Sequence, residues 1–425
     1  MKVKRNMGYG LLGFALPTLV MLLSIPVLIA GLGKDGFGIF TLAASVGGSF
    51  GFLDLGFSAA TTKYVAADLS RQRFESANSI LYTSLAFYGA LAALIVFVVW
   101  IGAPVFVKLF SIPIALSDQA TAAFRIAAFQ FGFFLLVGVF ISLFKAIHRF
   151  DAATSINTFI AIVSYGGAAL AVKMHMVGIV GATLIGMLAN AIALIVAYAV
   201  SLRIYRTRTI NAGSARPSLS SLRRMFSFSA TLTIHSLAAV FFAQFQRLII
   251  GYLLGPASVA IYQVAYAAVS KIHALVNAAT EVIFPIVSAS GHDSTTQALY
   301  LRTISVSALT AILLLLPLGI FAGPIVELWI GREVAVSAAP VLQILTIAFF
   351  FITISSGPYH ILNGMGRPIV SVLYSAGNVC IYMVTLFAFS LGGISLTNVA
   401  WTFAISNVIS GLIFQLLAMR LIMRL

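Results

Sequence analysis

Residues 8–33, GYGLLGFALPTLVMLLSIPVLIAGLG, contain no charged side chain. An α-helix rises 1.5 Å per residue, so about 20 apolar residues cross the ~30 Å hydrocarbon core of a membrane. The run is too long for the apolar part of a cleaved signal peptide, and we interpret it as a retained first membrane span. It sets the class of the protein, because eleven more apolar stretches of comparable length follow it.

The twelve predicted spans occupy most of the 425 residues, and the loops between them are short. A content of 61% hydrophobic and 8% charged residues lies outside the range of soluble domains. The sequence therefore predicts an all-α integral membrane protein. The spans are 8–32, 38–62, 77–101, 119–144, 154–172, 176–202, 225–253, 259–287, 303–322, 337–362, 368–391 and 394–419.

Lysine and arginine divide unequally between alternate loops. With the N-terminus inside, 18 of the 25 basic residues fall on the inner side, 4 on the outer side and 3 within spans. The positive-inside rule therefore predicts that both termini are cytoplasmic. Anionic lipid headgroups on the inner side account for the net charge of +15, so we expect membrane lipids as partners and no nucleic acid.

A weak internal repeat relates the two halves of the chain. We predict an N-terminal lobe (1–202), a cytoplasmic linker (203–224) and a C-terminal lobe (225–425), with six spans in each lobe. Residues 32–40, LGKDGFGIF, align at an offset of 222 with residues 254–262, LGPASVAIY. Six is an even number, so the halves enter the membrane in the same direction, as in transporters built from parallel repeats. In such proteins the ligand site lies near the midplane at the interface of the repeats.

Three cations lie inside the spans. A charge at the bilayer centre costs about 2.5–3.5 kcal/mol, so it is expected to face a wet cavity or a partner. Arg247 is roughly 12 Å and Lys271 roughly 20 Å from the outer turn, and Arg125 enters from the outer side. We interpret these residues as ligands for an anionic headgroup, because their side chains suit phosphate. In the alternative interpretation they extend to the interface or pair with helix carbonyls.

Asp54, Gln244 and Glu281 are the candidates for gating or coupling. Gln244 is on the same predicted helix face as Arg247, whereas the two carboxylates lie nearer the inner side. For Asp54, anchoring of the second span ranks ahead of a substrate or cation role. The histidines of the spans have no metal-ligand spacing, so we expect no metal or cofactor, and His235 is a minor candidate for proton coupling.

Short motifs in a fixed order resemble one family along nearly the whole chain. The resemblance is to polysaccharide-biosynthesis flippases, the exporters of O-antigen and lipid-linked oligosaccharides, within the multidrug/oligosaccharidyl-lipid/polysaccharide exporter superfamily. The motifs are GFGIF (36–40), LDLGFS (53–58), KYVA (63–66), LIIG (248–251), WIG (329–331) and ILNGMGR (361–367).

The resemblance implies twelve transmembrane helices in two six-helix lobes around a central V-shaped cavity. It further implies a glycan on undecaprenyl pyrophosphate, moved from the inner to the outer leaflet of a bacterial cytoplasmic membrane by alternating access, without enzyme chemistry. Energy would come from Na⁺ or H⁺ coupling or from the membrane potential, and other polysaccharide assembly proteins are candidate partners. Many relatives carry an acidic residue near Gln246-Arg247, so coupling through that carboxylate is in doubt here.

Three other functions remain open from the sequence, and a scaffold or channel is the third of them. The first alternative is a cation-coupled multidrug or metabolite antiporter of the same superfamily, which would favour carboxylates within the lobes. The second is a membrane polysaccharide polymerase or glycosyltransferase. Such an enzyme needs catalytic groups on a sizeable loop outside the membrane, and no predicted outer loop exceeds about twenty residues.

Overall fold

The protein is helical throughout the part that the computed structural model describes. No strand occurs among the described residues, which confirms the predicted all-α class. These residues are 2–54, 56–207, 216–226, 241–290 and 294–423.

The helices are named here in chain order. Within the described residues they are α1 (Lys2–Ser49), α2 (Phe57–Ser70), α3 (Phe74–Leu109), α4 (Ser117–Ala146), α5 (Phe150–Ala161), α6 (Ala168–Lys173), α7 (Ile179–Thr207), α8 (219–226), α9 (Gln246–Glu281), α10 (Ile283–Ser290), α11 (Ser294–Ile320), α12 (Ala322–Ile330), α13 (Arg332–Gly364), α14 (Pro368–Ser390) and α15 (Leu396–Met423). Two π-helical turns, Ile162–Gly167 and Phe241–Phe245, and two 3₁₀ turns, Phe50–Asp54 and Ile114–Leu116, join some of them.

Ten helical stretches among the described residues are long and apolar enough to cross a membrane. Two of them are bent. Gly13–Asp54 bends at Gly33, and Gln246–Ser288 bends at Gly255. Two arms in each bent stretch agree with about twelve helices, although residues 227–240 of the predicted span 225–253 lie outside the described residues.

The two bends have the same backbone conformation. Gly33 has φ 73° and ψ 172°, and Gly255 has φ 77° and ψ 176°. This region of φ and ψ is essentially restricted to glycine, because a Cβ atom would clash with the backbone. The two glycines are separated by the offset of 222 found in the sequence, so the repeat corresponds to a repeated turn.

A second turn is also repeated. His148, with φ 59°, follows α4, and Gly366, with φ 72°, follows α13. In each turn the N–H of the next residue, Arg149 or Arg367, donates to the carbonyl five positions earlier, at 2.7 and 2.9 Å. This is the long hydrogen bond of a Schellman motif, which ends a helix by satisfying one of its last carbonyls.

The chain forms two compact units, Met1–Ala257 and Ser258–Leu425. The division falls at the turn after Gly255, one span later than the predicted linker. The lobe limits 1–202 and 225–425 stay predictions.

The described end of the predicted linker packs on the first unit. Asp68 of α2 is fully buried, and its Oδ2 accepts from Ser76 Oγ at 2.7 Å and from Arg224 Nη1 of α8 at 3.4 Å. The Arg224 guanidinium also lies 4.2 Å from the centre of the Tyr64 ring. The next side chain, Met225, is fully buried. These contacts hold α8 against the end of α2 and the start of α3, which flank the loop between those two helices.

The repeated bend predicts a specific stability effect. Gly33→Ala and Gly255→Ala introduce a Cβ that meets no atom closer than 4.0 Å, so the cost is conformational. We expect each to destabilise the protein by about 1–3 kcal/mol and to lower the midpoint temperature of thermal unfolding in detergent. Gly89→Ala is the control, because Gly89 lies inside α3 with open space around it and alanine favours a helix. Equal midpoints for all three variants would contradict the assigned role of the bends.

Candidate functional site

The predicted site residues are divided between the two compact units. The structure brings Gln244 and Arg247 together within the first unit. A cavity between the halves that holds Arg247 and Lys271 stays a prediction. The first unit contains Asp54, Arg125, Gln244 and Arg247, and the second contains Lys271 and Glu281.

Arg247 lies in the first turn of α9, directly after the π-helical turn that carries Gln244. Its Nη1 donates to Gln244 Oε1 at 3.3 Å. The Gln244 amide covers Gly48 of α1, since a Cβ at position 48 would be 2.8 Å from Gln244 Nε2. The absence of a side chain at Gly48 therefore makes room for the amide that contacts the guanidinium.

Both π-helical turns pack against α1. Such turns are rare and occur frequently at functional sites. Tyr165, in the turn Ile162–Gly167, lies within electrostatic range of Arg247. Two irregular turns of the backbone therefore lie against α1, and one of them places the Gln244 amide on that helix.

Gln246 adds a further amide at this place. It is fully buried, and neither its Nε2 nor its Oε1 has a hydrogen-bond partner in the described part of the chain. An unsatisfied buried polar group costs about 1–3 kcal/mol, so it is expected to meet water or a ligand. Neither Tyr165 nor Gln246 is predicted as a site residue from the sequence. The signal that could have identified them is a polar residue next to glycine or arginine within an apolar span.

Asp54 ends the 3₁₀ turn Phe50–Asp54 and bridges two helices. Its Oδ1 accepts from Ser58 Oγ of α2 at 3.0 Å and from the hydroxyl of Tyr88 of α3. Ser58 and Tyr88 are also within 3.0 Å of each other, and the Tyr88 side chain is buried. The carboxylate thus joins the second span to the third.

Arg125 of α4 contacts the neighbouring helix α3. Its Nε donates to the Trp100 carbonyl at 3.3 Å, and its guanidinium carbon lies 4.8 Å from the centre of the indole. A cation over an indole face is attracted by the ring quadrupole, by about 0.5–1 kcal/mol at exposed sites. The Trp100 indole therefore stabilises the Arg125 guanidinium at the surface formed by α3 and α4.

The second unit contains a polar cluster on α9 and α13. Asn277 Oδ1 is 3.1 Å from Ser356 Oγ and 3.3 Å from His360 Nε2, and His273 Nδ1 is 3.5 Å from Thr353 Oγ1. Lys271 and Glu281 are on the same helix, α9, as Asn277. His235 lies outside the described residues. No group of histidine, cysteine and carboxylates that could hold a metal occurs in the described ranges.

Comparisons with known proteins agree with the resemblance and with the fold. A family model described as polysaccharide biosynthesis protein matches residues 3–290. A Shigella flexneri protein named "Putative O-antigen transporter" is 22% identical over 99% of both chains. The inward-facing structure of a multidrug resistance MATE family transporter of the MOP superfamily is 13% identical, with a TM-score of 0.75 over 97% of this chain and 98% of that one. The lipid II flippase MurJ in an inward closed conformation is 11% identical, with a TM-score of 0.74 over 97% of this chain and 86% of that one.

The bridging role of Asp54 predicts that its hydrogen bonds matter more than its charge. Tyr88→Phe removes one donor and should destabilise the protein by about 1 kcal/mol, seen as a lower unfolding midpoint. Asp54→Asn keeps an oxygen acceptor, so the variant should retain the transport rate per folded molecule. Activity lost in Asp54→Asn at an unchanged midpoint would contradict anchoring and indicate a role for the negative charge.

Proposed function

The chain belongs to the polysaccharide biosynthesis protein family, and we propose that it flips a glycan carried on undecaprenyl pyrophosphate across a bacterial cytoplasmic membrane. The direction is from the inner to the outer leaflet. The matching family model and a relative named as a putative O-antigen transporter support a polysaccharide-related membrane transporter and not an enzyme. No covalent bond is made or broken in the proposed step.

The observation that carries the proposal is the environment of Arg247. The guanidinium contacts the Gln244 amide, lies within electrostatic range of the Tyr165 phenol and follows in sequence a buried amide, Gln246, that has no hydrogen-bond partner among the described residues. Arginine binds phosphate oxygens with charge-assisted hydrogen bonds, which are about twice as strong as neutral ones. A pyrophosphate carries the negative charge that complements the Arg247 guanidinium.

In the proposed cycle the pyrophosphate and glycan enter from the inner side while the polyprenyl chain stays in lipid. Lys271 provides a second cation from the C-terminal half. Movement of the repeats against each other then opens the site to the outer side, as in other transporters built from repeats. Na⁺ or H⁺ coupling, or the membrane potential, is proposed to drive the cycle.

The test is export by charge-removing variants. Arg247→Gln and Lys271→Gln should each lower the initial rate at which surface polysaccharide appears, in cells that depend on this chain, about tenfold or more, because hydrogen bonds to charged groups contribute about 1.5–3 kcal/mol. Rates are normalised to the amount of protein in the membrane. Arg420→Gln is the control, since Arg420 is exposed in the last turn of α15 and should keep the full rate. Full export by both site variants would overturn the assignment.

A further inference from the structure

An apolar groove of about 640 Å³ runs along the outside of α3 and α4. Its α3 wall extends from Ala92 to Ile101, and its α4 wall from Phe129 to Leu136. Every lining residue is apolar or glycine. Several lining side chains, such as Phe97 with 64% of its surface exposed, are uncovered by protein. Hydrocarbon chains are therefore the natural occupants of the groove in a membrane.

The second unit has a corresponding groove of about 490 Å³ on α11 and α13. All six α3 residues that line the first groove have counterparts 219 positions later, from Ala311 to Ile320. Phe129, Gly132 and Phe133 of α4 have counterparts 218 positions later on α13. The groove is thus part of the internal repeat, although the two halves share little sequence.

The two grooves differ in charge. Trp100 of the first corresponds to Gly319 of the second, at the offset of 219. At the offset of 218, Arg125 beside the first groove corresponds to Gln343, which lines the second. The first groove therefore has an arginine and an indole where the second has an amide and a glycine. The difference points to a ligand with a negative charge at the first groove alone.

Arg125 keeps donors for such a ligand. Its Nε is bound to the Trp100 carbonyl, and no carboxylate in the described ranges forms a salt bridge with it. The Nη groups extend from a guanidinium that the indole holds in place. Bidentate binding of phosphate is the geometry for which a guanidinium is suited.

The depth of Arg125 fits a lipid headgroup. With 30 residues α4 is roughly 45 Å long, about 15 Å longer than the hydrocarbon core. Arg125 is eight residues after Ser117, or roughly 12 Å from the end of the helix. If α4 extends equally beyond the two faces of the hydrocarbon core, the Arg125 Cα lies about 5 Å below the nearer face. The long arginine side chain then reaches the level of the lipid phosphates.

We propose that the α3–α4 groove binds an anionic glycerophospholipid. The lipid belongs to the leaflet in which α3 ends, at Leu109, and α4 begins, at Ser117. The lipid phosphate contacts Arg125, and an acyl chain follows the groove from Trp100 towards Ala92. The second groove accepts acyl chains without selecting the headgroup, because Gln343 has no charge. This site does not depend on the proposed flippase function.

Trp100 allows a direct test, since the chain has only three tryptophans and the others are Trp329 and Trp401. The full chain with Trp329→Phe and Trp401→Phe is placed in phosphatidylcholine nanodiscs. A small fixed fraction of the lipid is acyl-brominated phosphatidylglycerol or acyl-brominated phosphatidylcholine. We expect brominated phosphatidylglycerol to quench Trp100 to the same extent as brominated phosphatidylcholine at an about fivefold lower mole fraction. The reason is that a basic residue near the surface contributes about 1 kcal/mol to binding anionic lipid.

Arg125→Gln, the residue type that the second groove carries, should abolish this preference, whereas Arg125→Lys should keep part of it. A matched control carries Leu316→Trp with all three native tryptophans replaced by phenylalanine. Leu316 is the exposed counterpart of Phe97 in the second groove, and its reporter should be quenched equally by both lipids. Equal quenching of Trp100 by the two lipids, or a preference that survives in Arg125→Gln, would overturn the proposal.

Discussion

A cation within a hydrocarbon layer is stable only where protein or ligand replaces the water it has lost. Two arginines of the first unit meet this requirement in different ways. Arg247 contacts the amide of Gln244 in a part of the fold where π-helical turns interrupt the apolar helices. Arg125 lies against the face and carbonyl of Trp100 on the groove between two helices. The first arrangement suits a headgroup inside the protein, and the second suits a headgroup at its edge.

The internal repeat shows which features belong to the fold and which to function. Both halves contain the glycine bend, represented by Gly33 and Gly255, and both contain the apolar groove. These features depend on backbone geometry and hydrocarbon contacts, which a duplicated scaffold preserves with little sequence identity. Arg125 does not follow the repeat, since Gln343 stands at the corresponding position of the second half. Function is located in such differences rather than in the shared architecture.

The family was indicated by short motifs in a fixed order, whereas hydropathy was sufficient to predict the all-α membrane class, because hydrocarbon requires long apolar helices. It was not sufficient for elements whose stability depends on partners distant in sequence. Helix α8 lies in a polar segment predicted as linker, and the buried Asp68 pairs with its Arg224. The π-helical turns carry no composition signal. For the site, the ionisable residues could be found from their cost in the membrane. The contact of Arg125 with Trp100 and the packing of Gln244 on Gly48 depend on residues distant in sequence, which one sequence does not encode locally.

We propose that positive charge in the interior of the protein selects a diphosphate headgroup. The most direct measurement is equilibrium binding of undecaprenyl pyrophosphate and of neutral undecaprenol to the purified chain in nanodiscs, in an Arg125→Gln background that removes the groove's charge. We expect undecaprenyl pyrophosphate to bind at least about tenfold more tightly than undecaprenol, because charge-assisted hydrogen bonds contribute about 1.5–3 kcal/mol. Equal affinity for the charged lipid and the neutral alcohol would contradict it.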